Sequence, residues 1–116
     1  MFALPLLDGD SRITVTTELE SKGYVDLTLD MLRRYGIEIE NRDYREFMIK
    51  GNQKYSRADY SVEGDFSQAA FWIVAATIGN GLECNNLNLE SLQGDRVILD
   101  IVREMGGRFE AKGDAL

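Results

Sequence analysis

The sequence predicts an α/β protein with α+β-like mixed sheets, and three observations carry that class. Strand-like alternation and helix-like stripes succeed one another along the 116 residues, the pattern of a chain whose helices and sheet share a core. Glycines and serines fall where one pattern gives way to the other, as helix stops and starts require. Sliding the chain against itself by 70 residues aligns Gly9 with Gly79, Leu19-Glu20-Ser21 with Leu89-Glu90-Ser91, Leu29-Asp30 with Leu99-Asp100, Arg33 with Arg103, Gly36 with Gly106 and Glu40 with Glu110. That gives nine identities in 46 pairs without a gap. They concentrate at helix stops and strand–helix junctions, where a repeat must keep its geometry, so a structural repeat is expected.

The elements follow in order. "MFALPLL" reads as a short helix end running into the turn "DGDS", and "RITVTTEL" alternates through Ile13, Val15 and Leu19 as a half-buried strand. From Tyr24 to Tyr35 the stripe Thr28, Met31, Leu32 and Tyr35 predicts a helix, with Ser21 as its N-cap and Gly36 as its stop. "IEIEN" and "EFMIKG" read as a hairpin closed by "RDYR", and the polar "GNQKYSRAD" as a linker. "FSQAAFWIVAATIG" is apolar on nearly every face and predicts a helix enclosed by protein, with Phe71 and Trp72 in the core. Asp65 and Gln68 form its capping-box-like start, and Gly79 and Gly81 its end. Strand "LECNNLNL", a helix in "DRVILDIVREMG" with stripe Ile98, Ile101, Val102 and Met105, and strand "GRFEA" complete the chain. Gln93-Gly94-Asp95 reads as the start of that last helix.

Applied to the second copy's enclosed helix, the repeat offset places its first-copy counterpart before Met1. The last copy likewise stops before its second hairpin strand, so the chain reads as part of a longer one. Domain organisation is expected to be two incomplete repeats, residues 1–61 ending one lobe and residues 62–116 starting another.

Charge narrows the function. Thirteen Lys and Arg against twenty Asp and Glu leave a formal charge of −7, which argues against a nucleic-acid partner held by general electrostatics. An anionic ligand would need a local cluster, and Lys22, Arg33, Arg34, Arg42, Arg45, Lys50, Lys54 and Arg57 are the one basic-rich span. Its plain reading is a solvated mixed-charge surface. With no histidine in the sequence, a histidine triad or a histidine-ligated zinc site is excluded within it. Cys84 has no partner for an internal disulfide and reads as a structural thiol in a reducing compartment. The longest apolar run, Ala69 to Ala76, is too short to span a bilayer, so no membrane partner and a cytoplasmic location are expected. The pairs Glu38/Glu40 and Asp8/Asp10 read as solvated faces rather than as catalytic carboxylates.

The stretches "ELESKGYVDLTLDMLRRYGIEIENRDYREFMIKGNQKY", "YSVEGDFSQAAFWIVAATIGNG" and "SLQGDRVILDIVREMG" together resemble the 5-enolpyruvylshikimate-3-phosphate synthase family. Ser-Lys-x-Tyr-x-Asp, Asn-x-x-Tyr, Glu-Gly-Asp-x-Ser and Gln-Gly-Asp occur in the family's order and at about its spacing. The resemblance implies a fold of βαβαββ repeats in two lobes, about one and a half repeats being present here, with the crossover near Glu63-Gly64-Asp65. It implies transfer of the enolpyruvyl group of phosphoenolpyruvate to the 5-hydroxyl of shikimate-3-phosphate, by addition and elimination, without cofactor or metal.

Carried over residue by residue, the resemblance puts Ser21 and Tyr24 against shikimate-3-phosphate, with Lys22 beside them, and gives Asp65 a hinge or inter-lobe role. Gly23 stands where the family commonly has proline, which loosens the turn that places Tyr24. No catalytic residue of the family falls within this chain, so the chain alone is expected to be inactive. The full-length enzyme is expected to be a monomer; the truncated repeats leave self-association or rearranged packing open. Two other readings stand beside this one: a piece of the related UDP-N-acetylglucosamine enolpyruvyl transferase, disfavoured by the Ser-Lys-x-Tyr match, and a non-catalytic interaction domain using the same repeat.

Overall fold

Alternation of apolar and polar residues in the first half is realised as a three-stranded antiparallel sheet in the computed structural model, which describes residues 1–79, 81–113 and 116. These divide into two units, Met1–Tyr60 and Ser61–Leu116. The first unit runs through a 3-10 turn, Leu4–Leu6, strand β1, Ser11–Thr14, helix α1, Lys22–Arg34, and strands β2, Ile39–Arg42, and β3, Glu46–Ile49. β3 lies between the other two, with Ile13 and Asn41 both opposite Phe47, and Ser11 and Ile39 both opposite Ile49. Period two therefore sends Phe47 and Ile49 into the interior, where Leu32, Ile37 and Pro5 are also buried. The opposite face carries Arg12, Glu40, Arg42 and Glu46, joined in ion pairs of 2.8 to 3.5 Å.

The expected hairpin is present, but its turn is made without glycine: Asp43 and Tyr44 both adopt left-handed backbone, at φ 52° and 56°. β1 is shorter than the alternation suggested, and only the Val15 N–H, donating to the Arg45 carbonyl at 2.9 Å, prolongs its ladder. The polar stretch after β3 has no regular structure, yet it is bound into the first unit and is no free linker. The Asn52 and Gln53 N–H groups donate to the Leu7 and Pro5 carbonyls, and the Gln53 amide brackets Glu38 through its N–H and carbonyl.

In the second unit helix α2, Phe66–Ile78, is followed by a 3-10 turn, Gly94–Val97, and helix α3, Ile98–Glu104. Its core joins Phe66, Ala69 and Ile73 of α2 to Leu87, Leu99 and Val102. On α3 Leu99 and Val102 are buried and Ile98 packs against the same core, whereas Ile101 and Met105 of the expected stripe face outward. Helix α2 is not enclosed on all sides as its sequence predicts. Phe71 is 75% and Trp72 62% exposed, and Val74 and Ile78 are exposed with them. Among the described residues of this unit, one face of α2, with Phe66, Ala69 and Ile73, is covered.

Neither "LECNNLNL" nor "GRFEA" forms a strand; the first is interrupted by a bend at Asn86, whose backbone is left-handed at φ 63°. Cys84 exchanges two backbone hydrogen bonds with Leu116, at 2.7 and 2.8 Å, and the Gly64 N–H donates to the Asn86 carbonyl. A strand requires neighbours along its length, and among the described residues "LECNNLNL" has only these isolated backbone contacts.

The 70-residue correspondence is clearest at the helix ends. At the end of α1, Gly36 (φ 81°) donates its N–H to the Arg33 carbonyl and Ile37 donates to that of Leu32; at the end of α3, Gly106 (φ 86°) donates to Arg103 and Gly107 to Val102. Both are Schellman stops built on residues 70 apart.

Phe66 is fully buried at the centre of the second core. Phe66→Ala is expected to lower stability by about 3–5 kcal/mol, read from urea unfolding; a loss below about 1 kcal/mol would place the core elsewhere.

Candidate functional site

Helix α1 begins without the side-chain cap expected of Ser21. The residue occupies the N-cap position in left-handed backbone, φ 55° and ψ 44°, and makes no capping hydrogen bond. A capping serine normally has extended backbone, which turns its hydroxyl toward the first-turn N–H groups. Left-handed backbone turns it elsewhere, so Ser21 contributes its carbonyl, which accepts from the Tyr24 N–H at 3.0 Å. The hydroxyl is left on the surface, and Lys22 and Tyr24 are also exposed. Gly23 lies inside α1, one residue after the helix begins, so its backbone is helical and no loose turn precedes Tyr24.

The three residues singled out in the sequence thus share the first turn of α1, and a fourth, Tyr44, joins them from the β2–β3 turn. The Lys22 ammonium lies 5.4 Å from the centre of the Tyr44 ring, a cation–π distance. The Tyr44 hydroxyl donates to Asp26 Oδ1 at 2.7 Å. That hydrogen bond, aided by desolvation and by the negative charge of Asp26, raises the Tyr44 pKa above the ordinary tyrosine value. The neutral phenol is the form the fold holds.

Most of the basic span is otherwise engaged. Arg42 is held by Glu40 at 2.8 Å and Glu46 at 3.0 Å, Arg34 by Asp30 at 2.7 Å, and Arg57 sits 3.6 Å from Asp59. The Arg42 hydrogen bond holds the Glu40 carboxyl below its usual pKa. Arg45 donates to the Thr17 carbonyl at 3.0 Å. Lys22 has no ion-pair partner among the described residues, and neither do Arg33, Lys50 and Lys54.

At the start of the second unit the two acidic motifs meet. Glu63 Oε1 accepts from the Ser91 hydroxyl at 2.5 Å and from Gln93 Nε2 at 3.0 Å, while Oε2 accepts from Asn88 Nδ2 at 2.8 Å. Gln93 also donates to the Gly64 carbonyl at 2.9 Å, and its Oε1 accepts from the Phe66 N–H at 2.8 Å. Gln93 therefore satisfies the first N–H of α2 from 27 residues away. Asp65 caps the same helix, accepting from the Ser67 N–H at 2.8 Å, and the Ser67 hydroxyl donates to Asp95.

Sequence reasoning missed Glu63 and Tyr44. Glu63 stood in a quoted motif beside an aspartate that drew the attention. Tyr44 stood in a glycine-free hairpin turn, itself a signal that a side chain is wanted there. Among the described residues no group of three His, Cys, Asp or Glu is placed to hold a metal, and no helix is long and apolar enough to cross a membrane.

Comparison with known proteins gives a single picture. The family model of EPSP synthase (3-phosphoshikimate 1-carboxyvinyltransferase) matches residues 1–116. The 3-phosphoshikimate 1-carboxyvinyltransferase of Clostridium acetobutylicum is 59% identical over 112 residues, 97% of this chain and 26% of that protein. Those of Clostridium novyi and Clostridium kluyveri are 57% and 53% identical over 98% and 100% of the chain, again 26% and 27% of their own lengths. The chain therefore spans about a quarter of the length of the curated relatives it matches.

Glu63→Gln would set an amide donor against the donors of Ser91, Gln93 and Asn88. It is expected to lower the stability of the second unit by about 1–3 kcal/mol, visible as a lower denaturation midpoint; an unchanged midpoint would remove Glu63 from the centre of the network.

Proposed function

The chain belongs to the EPSP synthase family, and on that premise we propose that it supplies part of the shikimate-3-phosphate site of an enolpyruvyl transferase. The whole enzyme would move the enolpyruvyl group of phosphoenolpyruvate onto the 5-hydroxyl of shikimate-3-phosphate. The hydroxyl gives up its proton to a base as its oxygen adds to the enol carbon and an acid protonates the methylene carbon; a proton then leaves the resulting methyl group as phosphate departs, which restores the double bond. The full-length enzyme is proposed to act as a monomer in the cytoplasm, without a cofactor.

The observation that carries the reading is the state of Ser21. Its hydroxyl makes no capping bond, and it shares the start of a 13-residue helix with Lys22 and the exposed Tyr24. A hydroxyl, a cation and a helix N-terminus are complementary to a phosphorylated polyol. Ser91, its counterpart 70 residues on, is 7% exposed and bonded to Glu63 and Gln93. The second copy is closed by the protein itself, which supports a ligand as the partner of the first.

Asp65 is assigned to the crossover between lobes, a role compatible with its cap of α2. None of the residues assigned here is a catalytic acid or base, so chemistry is placed in other parts of the enzyme.

In the full-length enzyme Ser21→Ala is expected to weaken shikimate-3-phosphate binding about 10–150-fold, the worth of one hydrogen bond to a charged group, while phosphoenolpyruvate binding changes less. Equal and negligible effects on both would take Ser21 out of the site. The isolated 116 residues are expected to release no phosphate from the two substrates and to bind either one weakly by NMR titration. Turnover, or tight stoichiometric binding, would contradict the division of labour proposed.

A further inference from the structure

We infer that Tyr44 is a positioning residue for the anion site proposed at the start of α1, holding the Lys22 ammonium over its ring and Asp26 on its hydroxyl. The inference rests on the reading of Ser21, Lys22 and Tyr24 as substrate contacts.

The β2–β3 turn places two successive non-glycine residues, Asp43 and Tyr44, in left-handed backbone. A turn of this kind is made most readily by Asn-Gly or Asp-Gly, and strain of this sort persists where the surroundings over-determine the conformation. Here they do. The Tyr44 N–H donates to Asn41 Oδ1 at 2.9 Å, and its ring meets Phe47 edge-on, centroids 6.5 Å apart at 78°. Phe47 is 1% exposed, so the ring is anchored on the interior of the sheet. From that anchor its hydroxyl reaches Asp26, one turn into α1, and its face carries the ammonium of Lys22, the first residue of α1.

Two contacts thus tie one turn of the hairpin to both ends of the first turn of α1. A lysine on a solvated helix samples many rotamers, and an aromatic face beneath the ammonium narrows them without neutralising the charge. An opposing carboxylate would have held Lys22 equally well but would have cancelled the attraction for an anion. The aromatic ring is the support that leaves the positive charge available.

The test uses the full-length enzyme with Lys22→Met, Tyr44→Leu, Tyr44→Phe and the Lys22→Met/Tyr44→Leu double variant. Tyr44→Leu is expected to raise the Kd for shikimate-3-phosphate about 2–5-fold, the range of an exposed cation–π contact, with the Kd for phosphoenolpyruvate unchanged. Tyr44→Phe, which keeps the ring, is expected to retain more of the affinity, and the double variant to bind no more weakly than Lys22→Met. Additive effects, or equal loss for both substrates, would overturn the inference. If Ser21→Ala and Lys22→Met leave binding unchanged, the site reading itself fails; if they weaken it and Tyr44→Leu does not, only the role of Tyr44 fails. A readout independent of any variant's folding is the proton NMR shift of the Lys22 ε-methylene in the unsubstituted enzyme. Displacement upfield by the ring current is expected, and an ordinary lysine shift would overturn the contact.

Discussion

Both units depend on one backbone constraint: a helix that must stop and send the chain back needs a residue with positive φ immediately after its last turn. Gly36 and Gly106 supply it, and in each case two N–H groups close onto carbonyls of the helix's final turn. The chain direction that follows is fixed by those bonds. In the first unit it delivers Ile37 into the interior and then β2; in the second it folds Gly107 back against Val102. A side chain at either glycine would meet the steric penalty of left-handed backbone, and at Gly36 its Cβ would also lie 2.6 Å from the Ser56 hydroxyl. This is why the repeat survives most visibly at these positions.

The helix starts diverge where the stops agree. Ser21 and Ser91 occupy corresponding places in the sequence, but only Ser91 is enclosed, with its hydroxyl shared between a carboxylate and a backbone N–H. Buried polar groups are satisfied as a rule, and Glu63 is what satisfies this one. At Ser21 the left-handed backbone removes the hydroxyl from the helix's own donors, and the polar groups around it remain on the surface. The same letters therefore serve a structural network in one copy and an open surface in the other. The difference arises from the carboxylate and amide contributed at long range, not from the serine.

Electrostatics sharpen the same contrast. In the basic span, Arg34 and Arg42 are committed to carboxylates on their own elements or on the neighbouring strand, and Arg45 to a backbone carbonyl. Surface pairs of this kind contribute little to stability, but they remove those cations from competition for a ligand. Lys22 is supported by a ring instead, which keeps its charge. An acidic chain can in this way present a local positive site despite a net charge of −7.

Much of the architecture was legible in the sequence because it is local. Period-two alternation located β2 and β3, and the apolar stripe with Gly36 bounded α1. Asp65 and Gly79 bracketed α2, and the 70-residue correspondence pointed to stops that are indeed alike. The quoted motifs pointed to the family, and Ser21, Lys22 and Tyr24 share one helix turn because they are consecutive or nearly so. The failures are all nonlocal. Whether "LECNNLNL" becomes a strand depends on a partner along its length, and whether Phe71 and Trp72 are enclosed depends on what packs beside α2. Neither condition is written in the segment itself. Likewise Gln93 came to accept from the Phe66 N–H at the start of α2, and Tyr44 came to lie beneath Lys22. By itself the sequence determined the periodicities, the left-handed glycines and the order of motifs, because each is set by dihedral preference and spacing along the chain. Only the tertiary structure decided which polar groups found partners, because hydrogen bonds and cation–π contacts depend on distances between residues far apart in the chain.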